Sequence, residues 1–153
     1  MSENTPLSSK LLSSTNRPLL IADAHRVLDV EVSKKRGLGG LALKGAYKTV
    51  SAIKPSFIEG VIGALLDEWI RAYDEEYAAW DVQGRPGTFG SFLVSRKTDV
   101  AERMLEVTDR RAKASPHQTA AALYWKMRGG AKSHVVDALP AVAEIVDRHL
   151  GDT

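Results

Sequence analysis

Residues 54–80 read KPSFIEGVIGALLDEWIRAYDEEYAAW, and this stretch decides the fold class. Pro55 stops whatever precedes it, and Ser56 with Glu59 three residues on has the form of a capping box opening a new helix. Val61, Ile62, Leu65, Leu66, Trp69 and Tyr73 then recur at helical steps, and the pattern can run on to Trp80. Trp69, Tyr73, Tyr77 and Trp80 stand four, four and three residues apart, so a helix stacks them in one stripe. Core packing is the default reading of such a stripe. If it is partly exposed instead, these four residues form a candidate aromatic contact surface, because Trp and Tyr dominate interface hot spots.

Working outward, the same period appears on both sides. Upstream, Leu38 to Ile53 reads as a helix despite Gly37, Gly39, Gly40 and Gly45, each costing about 0.5–1 kcal/mol against alanine if helical. One side of it carries Leu38, Leu41, Ala42, Gly45, Thr49, Ala52 and Ile53, another Lys44, Lys48 and Ser51, a third Leu43, Tyr47 and Val50. Before it, Leu19 to Lys35 is helical in period, with Pro18 suited to a first turn and Gly37 as the stop. Val27 to Val32 also alternates as a short strand would. Downstream, Gly84, Pro86, Gly87 and Gly90 mark the main loop, followed by a helix over Phe92 to Arg111 and another over Pro116 to Arg128. Gly129-Gly130 should end that helix, and Pro140 should kink or split the last one, Ala131 to Leu150. The expectation is an all-α, single-domain bundle of five to six helices without a sheet. Residues 1–16 are expected to be a flexible N-terminal tail with at most one helical turn, and residues 17–150 the bundle domain.

At 153 residues the chain should bury about 69% of its unfolded surface, enough for one core. The absence of cysteine removes disulfides, thiolate metal sites and thiol nucleophiles, and fits a reducing compartment. No apolar run reaches the roughly 18 residues of a membrane span, and the opening residues lack a secretory pattern, so a cytoplasmic location is expected. The net charge of +2 hides two blocks. Residues 32–58 hold Lys34, Lys35, Arg36, Lys44, Lys48 and Lys54 and no acid, whereas residues 59–81 hold seven acids against Arg71 alone. Packing the two blocks side by side would neutralise both. Left exposed, Lys34, Lys35, Arg36, Lys44 and Lys48 form a candidate surface for an anionic partner, above all anionic lipid, where each cation adds about 1 kcal/mol. Nucleic acid is disfavoured by the small net charge and the neighbouring acids.

The run from Lys35 to Lys48, KRGLGGLALKGAYK, with Lys54-Pro55 and Ala138-Leu139-Pro140 farther on, resembles a small bacterial protein family of unknown function. The resemblance covers most of the chain. It implies a small helical protein and supplies no activity, cofactor or catalytic residue.

Motifs that would carry chemistry are weak. Gly37-x-Gly39-x-x-Ala42 matches a loose dinucleotide fingerprint, but a helix precedes it and no acid follows before Glu59 to hold a ribose. Gly40 and Gly45 have the spacing of a phosphate loop without its Lys-Ser/Thr ending. His25, His117, His134 and His149 are scattered, and ordinary capping and dipole roles explain His117, in a capping turn, and His149, in a last turn. Asp99, Glu102, Glu106 and Asp109 lie at helical spacing among Arg103, Arg110 and Lys113, as on an ion-paired surface. No cofactor or metal is expected. The sequence therefore points first to a non-catalytic protein acting through protein contacts. A peripheral binder of anionic membrane or of an apolar ligand, and an enzyme with an unrecognised site, are the alternatives. The partner is unspecified and a homo-oligomer is compatible.

Overall fold

The structure, a computed structural model, describes residues 6–151. Among them every regular element is helical: α1 (Leu7–Leu11), α2 (Arg17–Lys34), α3 (Gly37–Ser51), α4 (Phe57–Ala72), α5 (Asp74–Val82), α6 (Phe89–Ser95), α7 (Lys97–Lys113) and α8 (Gln118–Gly151). The all-α expectation stands, and the number of helices is higher than five or six. Eight segments are present, or seven if α4 and α5 are joined through Tyr73, which keeps helical dihedrals. The alternating stretch Val27–Val32 is helical, within α2.

Several boundaries differ for local reasons. Ser56 sits in left-handed backbone, φ 66°, and its side chain caps nothing, so α4 starts at Phe57 without the expected capping box. Arg96 breaks the segment read as one helix into α6 and α7. Gly129-Gly130 does not end a helix: α8 passes straight through. The contacts on either side of the glycines explain this. Arg128 and Tyr124 bind Asp109 before them, and Lys132 binds Glu102 after them, so α8 is fastened to α7 across the pair. Pro140 likewise lies inside a continuous α8, flanked by the fully buried Leu139.

In the N-terminal segment, Leu7–Leu11 forms the single short helix α1. Leu7 and Leu11, one helical turn apart, are completely buried in the core with Ile70, Tyr73, Leu93, Val100 and Leu139. Lys10 donates to the Tyr77 hydroxyl at 2.8 Å, fastening α1 to α5. Residues 1–5 lie outside the described residues.

The short α6 is seated on α8 by a close backbone approach. The Gly90 N–H donates to Asp147 Oδ1 at 2.7 Å, while Thr88 Oγ1 accepts from Ser91 N. A Cβ at residue 90 would stand 2.4 Å from Asp147 Oδ2 and 2.6 Å from the Ala143 carbonyl oxygen. Gly90→Ala should therefore cost about 1–3 kcal/mol by overpacking. Gly129→Ala, with open space around the added methyl, should gain about 0.5–1 kcal/mol. Chemical denaturation of the two variants checks the opposite signs.

Candidate functional site

The candidate site is the outward face of α3. It starts where α2 ends: Lys35 and Arg36 are extended, Gly37 takes φ 74°, and the chain turns into α3. Gly40 rests on that turn so closely that a Cβ would come within 2.6 Å of the Lys35 carbonyl carbon. This is the close helix contact that small residues permit, and it accounts for the glycine here without a nucleotide.

Gly40 is the one buried residue of α3. Leu43, Ala46, Tyr47 and Val50 are half-buried and face the body of the protein. The Tyr47 hydroxyl donates to the Asp29 carboxylate on α2, and burial together with that bond pushes the phenol's pKa up. The opposite side faces solvent. Leu38 is 86% exposed and Leu41 66%, and Ala42, Gly45, Thr49 and Ala52 are exposed with them. Lys44 and Lys48 run along one edge of this apolar strip, one turn apart. An open groove of about 510 Å³ at the α2–α3 corner is lined by Lys35, Arg36, Gly37, Leu38, Leu41 and Lys44.

The two charge blocks do not neutralise each other. In the acidic block, Asp67 pairs with Arg17 at 2.8 Å, Glu68 with Arg110 and Arg111 at 2.9 and 2.5 Å, Glu76 with Arg103, and Asp81 with Arg85 at 2.7 Å. Those two arginines hold the Glu68 carboxyl below its ordinary pKa. In the basic block, Lys34 pairs with Glu31 on its own helix at 3.0 Å and Lys35 with Asp137 of α8 at 3.1 Å. Arg36, Lys44, Lys48 and Lys54 are exposed and have no ion pair among the described residues. The five predicted cations thus divide into a paired corner, Lys34 and Lys35, and a free set, Arg36, Lys44 and Lys48.

The aromatic stripe is interior. Tyr73, Tyr77 and Trp80 are buried and Trp69 is half-buried against the core. Trp69 Nε1 donates to the Met104 carbonyl at 3.0 Å, Trp80 Nε1 to the Pro86 carbonyl at 3.0 Å, and Tyr77 meets Phe89 edge-on. Their polar tips are thereby satisfied, and these four residues do not form an exposed contact surface. Asp99, Glu102, Glu106 and Asp109 do not pair along their own helix as expected: Glu102 and Asp109 reach across to Lys132 and Arg128 of α8.

A family model matches residues 7–150, nearly the whole described chain, and its description is a family of unknown function. The chain belongs to the DUF6918 family. No curated protein and no solved structure matches the chain. Membership assigns this DUF6918 chain no activity, so its functional reading rests on the α3 surface. No described helix is long and apolar enough to cross a membrane.

Sequence reasoning found the constituents of α3 but missed the ion pair of the buried Glu76 with Arg103 and the contacts of His149 with Asn16 and Asp23. The latter partners are more than 120 residues from His149 along the chain, and no local spacing signals them.

Proposed function

We propose that the protein binds anionic membrane surfaces peripherally, with α3 lying in the interface. The supporting observation is the exposed Leu38–Leu41 strip edged by Lys44 and Lys48, with Arg36 and Lys54 at its ends and, among the described residues, no ion pair to any of these cations. An interfacial helix needs this combination: leucines to enter the acyl boundary and cations at headgroup height. A second copy of the chain fits the surface poorly, because it would press two acid-free faces together. Nucleic acid also fits less well, since the exposed strip offers leucines and no aromatic ring for a base to stack on. The anionic surface this reading favours is the cytoplasmic leaflet of a bacterial cell. The reading is one of binding through contacts and assigns no reaction.

Flotation with vesicles containing phosphatidylglycerol tests it. The double variant Lys44→Glu, Lys48→Glu should lose at least about 25-fold in partitioning, from roughly 1 kcal/mol per cation removed near the surface. Leu38→Asn with Leu41→Asn should also stop flotation, without changing stability by more than about 0.5 kcal/mol, since both sites are exposed. Flotation unaffected by either pair would show that another surface is responsible.

A further inference from the structure

His149, in the last turn of α8, is 5% exposed and has both ring nitrogens engaged. Nδ1 lies 2.7 Å from Asn16 Oδ1 and Nε2 2.7 Å from Asp23 Oδ2. The orientation of the Asn16 amide is set by its other end, because Nδ2 donates to the Leu11 carbonyl at 2.8 Å. Turning the amide over would set two oxygens against each other there and leave that carbonyl unserved. Asp23 is an acceptor as well. Burial alone would raise its carboxyl, but hydrogen bonds from His149 and Arg26 and the charges of His149 and Arg148 hold its pKa below the ordinary value. Both ring nitrogens therefore face oxygens that only accept. A neutral imidazole has one N–H and a protonated ring has two, so only the protonated ring satisfies both contacts.

We infer that His149 is a proton-dependent clasp holding the segment Leu7–Asn16 to the end of α8. The charged groups around it are Asp23 and Arg26 from α2 and Arg148 from its own helix. From the segment after α1 only the neutral Asn16 amide reaches the ring. On α8's side toward α6, Asp147 is turned away to the Gly90 N–H. When pH rises and the ring loses one proton, the Asp23 carboxylate keeps the remaining N–H at Nε2. Nδ1 then presents a lone pair to Asn16 Oδ1 at a site nearly closed to water, and this contact opens. Asp23 remains paired with Arg26 and Arg148, so the release falls on the Asn16 side. The stabilisation is present while the ring carries both protons and is lost when rising pH removes one of them. Asn16 is bonded to Leu11, so loosening it frees the helix that buries Leu7 and Leu11. The clasp does not involve α3 and stands independently of membrane binding.

Two readouts on the full chain test it. Nitrogen-15 spectra of the His149 ring should show both nitrogens protonated at the acid end, about pH 5.5. Hydrogen exchange of backbone amides 7–16, corrected for base-catalysed chemical exchange, should lose at least about tenfold in protection between that pH and about pH 8.5. His149→Gln should abolish this pH dependence, and Asp23→Asn, which removes the carboxylate, should move the transition to lower pH. The variants bear on the same claim separately, so a failure of one to fold leaves the other decisive. A ring with one bare nitrogen at about pH 5.5, or protection of residues 7–16 that is independent of pH in the unaltered chain, would overturn the inference.

Discussion

Arg103→Met should destabilise the protein by about 3–5 kcal/mol, seen as a lower urea midpoint with an unchanged m-value. Arg103 reaches from α7 to Glu76 on α5, and Glu76 is 2% exposed. Among the described residues nothing hydrogen-bonds the second carboxylate oxygen of Glu76, which is itself buried. Removing the guanidinium strands a charge beside Tyr73, whose burial already pushes its phenol up. The penalty belongs to the stranded charge, so Arg103→Met combined with Glu76→Gln should recover a large part of the loss. A single-variant effect below about 1 kcal/mol would contradict the burial of Glu76, since exposed ion pairs contribute only that much.

Leu11→Ala should cost about 2–5 kcal/mol, the range for a leucine truncated inside a packed core. The expectation depends entirely on where α1 lies. A leucine in a loose tail would register close to zero on the same denaturation curve, whereas Leu11 has no exposed surface and shares the core with Leu7, Ile70 and Leu93. The partner substitution Leu12→Ala, at a half-buried position beside it, should cost less. Equal and negligible effects at both positions would return the segment to the tail that its composition implies.

Much of the architecture was legible because helical periodicity is local. The apolar steps from Val61 to Tyr73 and the glycine-rich run from Leu38 to Ile53 specify α4 and α3 without tertiary information. The errors arise where tertiary contacts override local signals. Gly129-Gly130 reads as a stop, and its flanking bonds to Asp109 and Glu102 carry α8 through it. Ser56 reads as a cap, and its left-handed backbone removes its side chain from that role. Leu7 and Leu11 are too few to announce a core helix, and their burial depends on α4, α5 and α8 closing around them.

The candidate site was legible in its composition and not in its exposure. The lack of any acid between residues 32 and 58 is evident from the sequence. Which acids would meet these cations is a question of packing, and the answer is that arginines from α2, the loop after α5, and α7 take the acidic block instead. Likewise, α3 is apolar on two sides, and only the fold determines that Leu43, Tyr47 and Val50 turn inward while Leu38 and Leu41 turn out.

Whether α3 is a surface for anionic lipid is read most directly from the partitioning of the unaltered protein onto vesicles of varied charge and salt. Strong binding to phosphatidylglycerol vesicles at low salt, little binding to neutral phosphatidylcholine, and a marked loss at about 1 M salt, where the screening length shrinks to roughly 3 Å, is the predicted result. Absence of binding to anionic vesicles at low salt, or equal binding to neutral and anionic ones, would contradict it.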